Sequence, residues 1–313
     1  MEISAKSIRA LAEKTGFIRD NLEKVVRLID LLETIFSSEY ADRLALKGGT
    51  AINLFYAGLP RLSVDIDLDY VGADKDAMLA DKNAIKNWLA AVSFGMGYRI
   101  GDRSKETHAL DSYVLSYVNS AGNPDVIKVE INYLDRVHIL PLEKRAIVSL
   151  GYVSKVDISI LAKQELYGSK IAALVSRGKP RDLFDVYFAV SKGTIKKDAT
   201  LRKCALFYDC VAGKNSLVEQ GDFDYKRLSR RDFQRMLIPM LRKGTQFDSD
   251  AAINEVSSFL GDLFHFEAEE VAFSQRFAGK DYCPELLFGD SKETERIAKH
   301  PMALWRTRHD EPE

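Results

Sequence analysis

Residues 44–71 read LALKGGTAINLFYAGLPRLSVDIDLDYV, two adjacent glycines followed by a run of alternating carboxylates. A short apolar run, Leu44–Leu46, is broken by Gly48 and Gly49, and Thr50–Tyr56 follows as a helix that begins at the glycines. Ser63–Val71 then alternates strictly, with Val64, Ile66, Leu68 and Tyr70 on one face and Asp65, Asp67 and Asp69 on the other. Successive strand side chains point to opposite sides, so this is a half-buried strand with an acidic face. Strand, glycine turn, helix and acidic strand in that order place backbone N–H donors and carboxylates at the ends of adjacent elements.

Two carboxylates at i and i+2 share one face and suit a small, hard cation. Magnesium takes oxygen ligands in octahedral geometry and usually borrows part of its shell from water and substrate phosphates, which makes Asp65 and Asp67 suitable ligands. Without a cation, repulsion between them either raises a pKa or favours divalent-metal binding. Glycine permits positive φ and close backbone approach, and the start of the following helix offers unpaired N–H groups to an anion. Each half also has an ordinary reading, an acidic strand face or a tight strand-to-helix turn; their combination is far more specific. Asp69 lies roughly 13 Å along the strand from Asp65, too far for the same ion.

Around this stretch the chain reads as an α/β first half passing into a helical second half. Residues 4–13 and 18–37 carry helical spacing, residues 75–92 are helical, and Ser112–Val118 and Val126–Tyr133 form a hairpin about the turn signal NSAGNPD. In the second of these strands Glu130 points away from the more apolar face. Helices are predicted over 160–177, 181–191, 197–211, 223–242 and 249–270; the tail beyond about residue 280 has weak periodicity. No Gly/Ser/Pro-rich linker marks a boundary within 136–160, and the division falls at 1–158 and 159–313.

Forty-five basic residues against 46 acidic ones give no whole-molecule basic field, so a nucleic-acid partner must be met by a local patch. Cys204, Cys210 and Cys283 form no CxxC pair and no disulfide framework, which fits a reducing cytoplasm. The five histidines show no HxH or HExxH, so no zinc site is assigned. The charged N-terminus lacks a signal-peptide core and no run approaches the roughly 18 apolar residues of a membrane span, so no membrane partner is expected.

The glycine pair followed by DxD resembles the nucleotidyltransferase superfamily. KGGTAIN followed by Arg61-Leu62-Ser63-Val64-Asp65-Ile66-Asp67-Leu68 is more similar still to the AbiEii/AbiGii toxin family, which includes the MenT toxins. A second block, LAKQELYGSKIAALVSRGKPRDLFDVYFAV at 161–190, resembles that family's helical lysine, arginine one turn on and RD-x-x-D. The resemblance implies a nucleotidyltransferase-fold mixed β-sheet with flanking helices, followed by a mainly helical C-terminal half that contributes lysine and aspartate to the active site. It implies a toxin restrained by a separate antitoxin, transferring a nucleoside monophosphate from NTP to an acceptor hydroxyl with Mg2+ and releasing pyrophosphate; the 3′ end of tRNA is the leading acceptor. A small molecule or a protein as acceptor, or a non-catalytic interaction protein on the same fold, stand as alternatives.

Carried over residue by residue, the resemblance gives Gly48, Gly49 and Thr50 to the nucleotide, and Asp65 and Asp67 to magnesium. Lys170 would meet the phosphates, a task suited to an ammonium, and shares its helix side with Lys163, Tyr167, Leu174 and Arg177. Asp182 and Asp185 belong to the RD-x-x-D motif, with Asp185 favoured as catalytic and Arg177 and Asp182 placed with the nucleotide. Glu130 is the candidate third carboxylate, as metal ligand and base. The plain alternatives are a capping Thr50, an exposed strand Glu130, salt bridges of Arg177 and Arg181 with Asp182 and Asp185, and Arg61 and Ser63 orienting the loop. For RNA, the basic stretch 223–244 offers Arg227, Arg230, Arg231 and Arg235 interleaved with aromatics, against the reading of a solvated face whose aromatics belong to the core.

Overall fold

The computed structural model describes residues 3–214, 216–219 and 228–308. The chain divides into two compact units: Met1–Arg136 with Leu142–Ile160 and Pro239–Thr245, and Val137–Pro141 with Leu161–Ile238 and Gln246–Glu313.

The first unit is built on a mixed sheet. Its strands are β1 (Leu44–Lys47), β2 (Asp65–Tyr70), β3 (Arg99–Ile100), β4 (Lys105–Glu106), β5 (Leu110–Val118), β6 (Pro124–Asn132), β7 (Glu143–Ser149) and β8 (Tyr152–Ile160), in the order β3-β5-β6-β2-β1-β8-β7 with β4 beside β5. β1 runs antiparallel to β2, whereas β2 pairs in parallel with β6 and β1 with β8. The expected acidic strand is β2, and its apolar face, Ile66, Leu68 and Tyr70, is buried.

Helices α1 (Ala5–Thr15), α2 (Arg19–Phe36), α3 (Gly48–Ala51, continued by a π-helical turn Ile52–Tyr56) and α4 (Lys75–Gly95) complete this unit. α1 starts at a Ser4–Ser7 capping box and stops at Gly16, which takes the left-handed conformation that glycine adopts at low cost. α2 packs on β8 and β6 and buries Leu22, Val25, Val26, Leu28, Ile29, Leu32 and Ile35, each worth about 1.5–3 kcal/mol on full burial.

Sequence periodicity missed the β7–β8 hairpin, which occupies most of the stretch expected to hold the boundary. A register shift between Ala146 and Val148 breaks the alternation that would have shown it. β7 is also an edge strand carrying Lys144 and Arg145, charges that discourage pairing with another chain. The expected cut at residue 158 lies within β8.

The second unit contains α5 (Lys163–Arg177), α6 (Pro180–Ser191), α7 (Ala199–Val211), α8 (Ser216–Glu219), α9 (Arg230–Met236), α10 (Ser249–Leu263) and α11 (Ala268–Ala278). Short helices follow at Glu285–Phe288, Lys292–Ile297 and Pro301–Arg306, and Leu287, Ile297 and Ala303 tie this tail into the core. α5 crosses α7 at Gly168, where a Cβ would stand 2.6 Å from Cys204 Cβ and 2.9 Å from the Ala205 nitrogen. Buried Glu165 explains why Val137–Pro141 belongs here. Its carboxylate accepts the N–H groups of Ile139 (2.9 Å) and Leu140 (2.8 Å) and the Tyr208 hydroxyl (2.7 Å).

Two predicted helices need correction. The helix expected over 223–242 is, among the described residues, the short α9 followed by a separate 3-10 turn, Ile238–Met240; α9 ends before Pro239, which lacks the N–H that α-helical continuation requires. The helix expected over 249–270 is two, α10 and α11. Pro239–Thr245 returns to the first unit. There the Met240 carbonyl accepts Leu62 N–H (2.8 Å), Arg242 donates to the Thr15 carbonyl (3.0 Å) and stacks over Phe17, and Lys243 N–H meets the Gly16 carbonyl (2.7 Å). Among the described residues no helix is long and apolar enough to cross a membrane.

Candidate active site

In the first unit the glycine turn and the DxD strand meet as one structure. Lys47 at the end of β1 is the register partner of Asp67, so Gly48 begins α3 directly beside that carboxylate. Gly48 has φ +71°, and a Cβ there would collide with Asp67 Oδ2. Only glycine lets the turn and the carboxylate come so close.

Gly49 is constrained from below. A Cβ would stand 2.8 Å from Arg61 Nη2 and 2.9 Å from Ser63 Oγ, both side chains buried. Arg61 and Ser63 thus support the turn, as the plainer reading of the sequence had it. Gly49→Ala is expected to cost about 1–3 kcal/mol by overpacking, and the Gly49→Ala/Ser63→Gly double variant to recover part of that loss in urea denaturation. Thr50 is buried, and its hydroxyl donates to the Asp65 carbonyl (2.5 Å). It pins the DxD strand to α3, and that commitment places it as a positioning group. The Asn53 amide adds a bond to the Gly49 carbonyl (2.8 Å).

β6 supplies the neighbouring carboxylate. Glu130 is in register with Asp67 and Lys128 with Asp65, and register partners point to the same side of a sheet. The sheet therefore gathers Asp65, Asp67 and Glu130 on one face. Glu130 is held by Lys128 at 2.8 Å, and among the described residues no three His, Cys, Asp or Glu side chains converge as a metal cluster. Asp65 and Asp67 still fit Mg2+: two hard oxygen donors, with a glycine turn against one of them, match an ion that completes its octahedron with water and phosphate oxygens.

Lys47 escaped sequence reading. Its ammonium lies 2.5 Å from Asp69 Oδ1 and 3.4 Å from Asp135 Oδ2. Burial opposes its charge, but the carboxylates of Asp69, Asp135 and Asp67 outweigh burial and hold it above the usual lysine range. Asp69 is accordingly a structural partner of Lys47. Alternation along β2 showed the acidic face, but nothing local to β1 signalled its counter-ion.

In the second unit the RD-x-x-D motif and the helical lysine come together. α5 ends at Gly178, with φ +55°, and only Gly178 and Lys179 separate it from α6. That tight turn brings Lys170 Nζ to 2.8 Å from Asp182 Oδ1 and 3.4 Å from Asp185 Oδ2. Arg177 forks onto Asp182 with bonds of 2.7 and 3.0 Å. Burial works to raise the Asp182 pKa, but Lys170 and Arg177 outweigh it and hold the carboxyl well below the usual carboxylate range. The Arg177–Asp182 salt bridge allowed for in the sequence is present, and it commits Asp182 to fixing Lys170.

Of the basic stretch, Arg227 lies outside the described residues. Arg230, Arg231 and Arg235 are exposed on α9, while Phe233 between them is buried against Phe247. That aromatic belongs to the core.

Glycine turn, paired carboxylates on the adjoining strand and a mixed sheet together define a nucleotidyltransferase. Residues 30–255 match the family described as nucleotidyl transferase AbiEii toxin, type IV TA system, and the chain belongs to that family. Among solved structures it is similar in fold to MenT4, a nucleotidyltransferase toxin from Mycobacterium tuberculosis H37Rv, at 17% identity over 97% of this chain and 99% of that one, with a TM-score of 0.64. It also matches JHP933 from Helicobacter pylori at 23% identity, over 83% of this chain and 98% of that one, with a TM-score of 0.45. No curated protein sequence matches the chain at a significant level. Membership of a toxin family implies a cognate antitoxin as partner.

Proposed function

We propose that this toxin acts in the cytoplasm by transferring a nucleoside monophosphate from an NTP to the terminal hydroxyl of RNA, the 3′ end of tRNA. The observation that carries the reading is the contact of Gly48 with Asp67, which sets an anion-accepting turn against a metal-accepting carboxylate.

Bound by Asp65 and Asp67, Mg2+ supplies positive charge that stabilises the phosphate oxygens as they gain negative charge. The chain's own groups do the rest. Gly48 and Gly49 offer backbone to the triphosphate, with Thr50, Arg61 and Ser63 holding that turn in place. The acceptor oxygen attacks the α-phosphorus, the new P–O bond forms as the bond to the β-phosphate bridging oxygen breaks, and pyrophosphate leaves. Glu130, once released from Lys128, takes the hydroxyl proton. In the second unit Asp182 and Arg177 fix the Lys170 ammonium, with Asp185 beside it. Positioning and electrostatics carry most of such a rate.

Purified protein incubated with tRNA, Mg2+ and each NTP in turn is expected to leave tRNA heavier by one or more nucleoside monophosphates in mass spectrometry. Unchanged tRNA with all four nucleotides, from a folded preparation, would overturn the assignment.

A further inference from the structure

The register of the first unit's sheet continues the catalytic face outward. One row of partners runs Asp67, Glu130, Ser112, Lys105 across β2, β6, β5 and β4. The next runs Asp65, Lys128, Val114, and one pleat further Ser116 pairs with Arg99 on β3. Partners in register share a face, so all these side chains lie on the side of the DxD carboxylates. The other face of the same strands, with Tyr113, Leu115, Ile127, Val129 and Ile131, is buried. On the carboxylate side Ser112, Val114, Ser116, Lys128 and Glu130 are half-exposed, and Arg99 and Lys105 are exposed.

Charge changes sign along this face. At its inner end stand carboxylates, and at its outer end two cations whose side chains enter no ion pair among the described residues. Nearby Glu106 points to the opposite pleat from Lys105 and is neutralised by Lys86 at 2.7 Å, and exposed Asp102 is followed by exposed Arg103. Three strand spacings separate β2 from β4, about 14 Å, which is the length of a few stacked nucleotides at about 3.4 Å each. The small Ser112, Val114 and Ser116 leave the path between the two ends low.

We propose that this face is the track of the RNA acceptor, with backbone phosphates on Arg99 and Lys105 and the terminal hydroxyl delivered along the row to Glu130 and Asp67. The proposal rests on the RNA reading of the acceptor and identifies the surface that binds it. Serine and valine between the cations offer no stacking platform, so recognition is by phosphate charge and depends strongly on salt.

The experiment titrates tRNA into wild type, an Arg99→Ser/Lys105→Ser double variant and an Arg230→Ser/Arg231→Ser/Arg235→Ser triple variant over a range of salt, with NTP affinity measured in parallel by calorimetry. The double variant is expected to bind tRNA about tenfold more weakly at low salt, with the slope of log affinity against log salt shallower by roughly 0.7 to 0.9 per lost cation, and with NTP affinity unchanged. The triple variant is expected to match wild type. Unchanged affinity and slope in the double variant, or a loss confined to the triple variant, overturns the track while leaving RNA as the acceptor. Wild-type protein that binds no tRNA and transfers label to a protein or small molecule instead overturns the acceptor reading, and the track with it.

Discussion

Asp67→Asn is expected to slow nucleotide transfer by about a thousandfold or more, measured in single-turnover reactions, without lowering the thermal midpoint. On the proposed mechanism the loss follows from removing a carboxylate that would hold Mg2+ beside the reacting phosphate, an effect of roughly 10²–10³ for one well-placed group and larger for a metal ligand. Stability is spared because relief of repulsion from Asp65, Asp69 and Glu130 on the same face offsets the lost attraction of Asp67 for Lys47, whose nearer counter-ions Asp69 and Asp135 remain. Asp65→Asn is expected to behave in the same way. A variant retaining activity within tenfold of wild type would remove the DxD strand from the chemistry.

Asp182→Ala is expected to be the most destabilising substitution in the second unit, by about 3–5 kcal/mol in urea denaturation, because it leaves buried Lys170 without its nearest counter-ion. Arg177→Ala should cost about 0–1 kcal/mol, since that side chain is 56% exposed while its Asp182 partner is 3% exposed. The pH dependence has a definite sign. The folded-state pKa of Asp182 lies below its unfolded value, so its stabilisation is complete above pH ~4 and is lost as pH falls through the lower folded value. Asp182→Asn should therefore flatten the acid limb of the stability curve. Equal losses from Asp182→Ala and Arg177→Ala would contradict the assignment of Asp182 as the anchor of Lys170.

What the sequence disclosed and what it concealed divide along physical lines. Alternation in Ser63–Val71 and the glycine pair are local signals, so β2 and the turn before α3 could be read from the chain. The i, i+3 spacing of Asp182 and Asp185 and the position of Lys170 were equally local, and the short Gly178–Lys179 turn then made their contact. Lys47 could not be found this way, because its partners Asp69 and Asp135 reach it only through strand pairing and a distant loop. The β7–β8 hairpin was hidden by its bulge and edge charges, and the return of Pro239–Thr245 to the first unit by its place at the end of a basic stretch read as one helix. The Arg242 guanidinium in fact donates to the Thr15 and Leu59 carbonyls, and Lys243 is held through its backbone N–H to the Gly16 carbonyl, all within the first unit. A basic residue near an aromatic is a weak signal of RNA until its partners are known, and Phe233 in the core makes the same point.

The reaction class itself is tested most directly by following two labels in parallel. Wild-type protein is incubated with Mg2+, tRNA and NTP labelled either at the α-phosphate or at the γ-phosphate. Nucleotidyl transfer at Asp65 and Asp67 is expected to place the α-label on RNA and the γ-label in pyrophosphate, with both signals lost in Asp67→Asn. Appearance of the γ-label on the acceptor, or undiminished transfer by the Asp67→Asn variant, would contradict it.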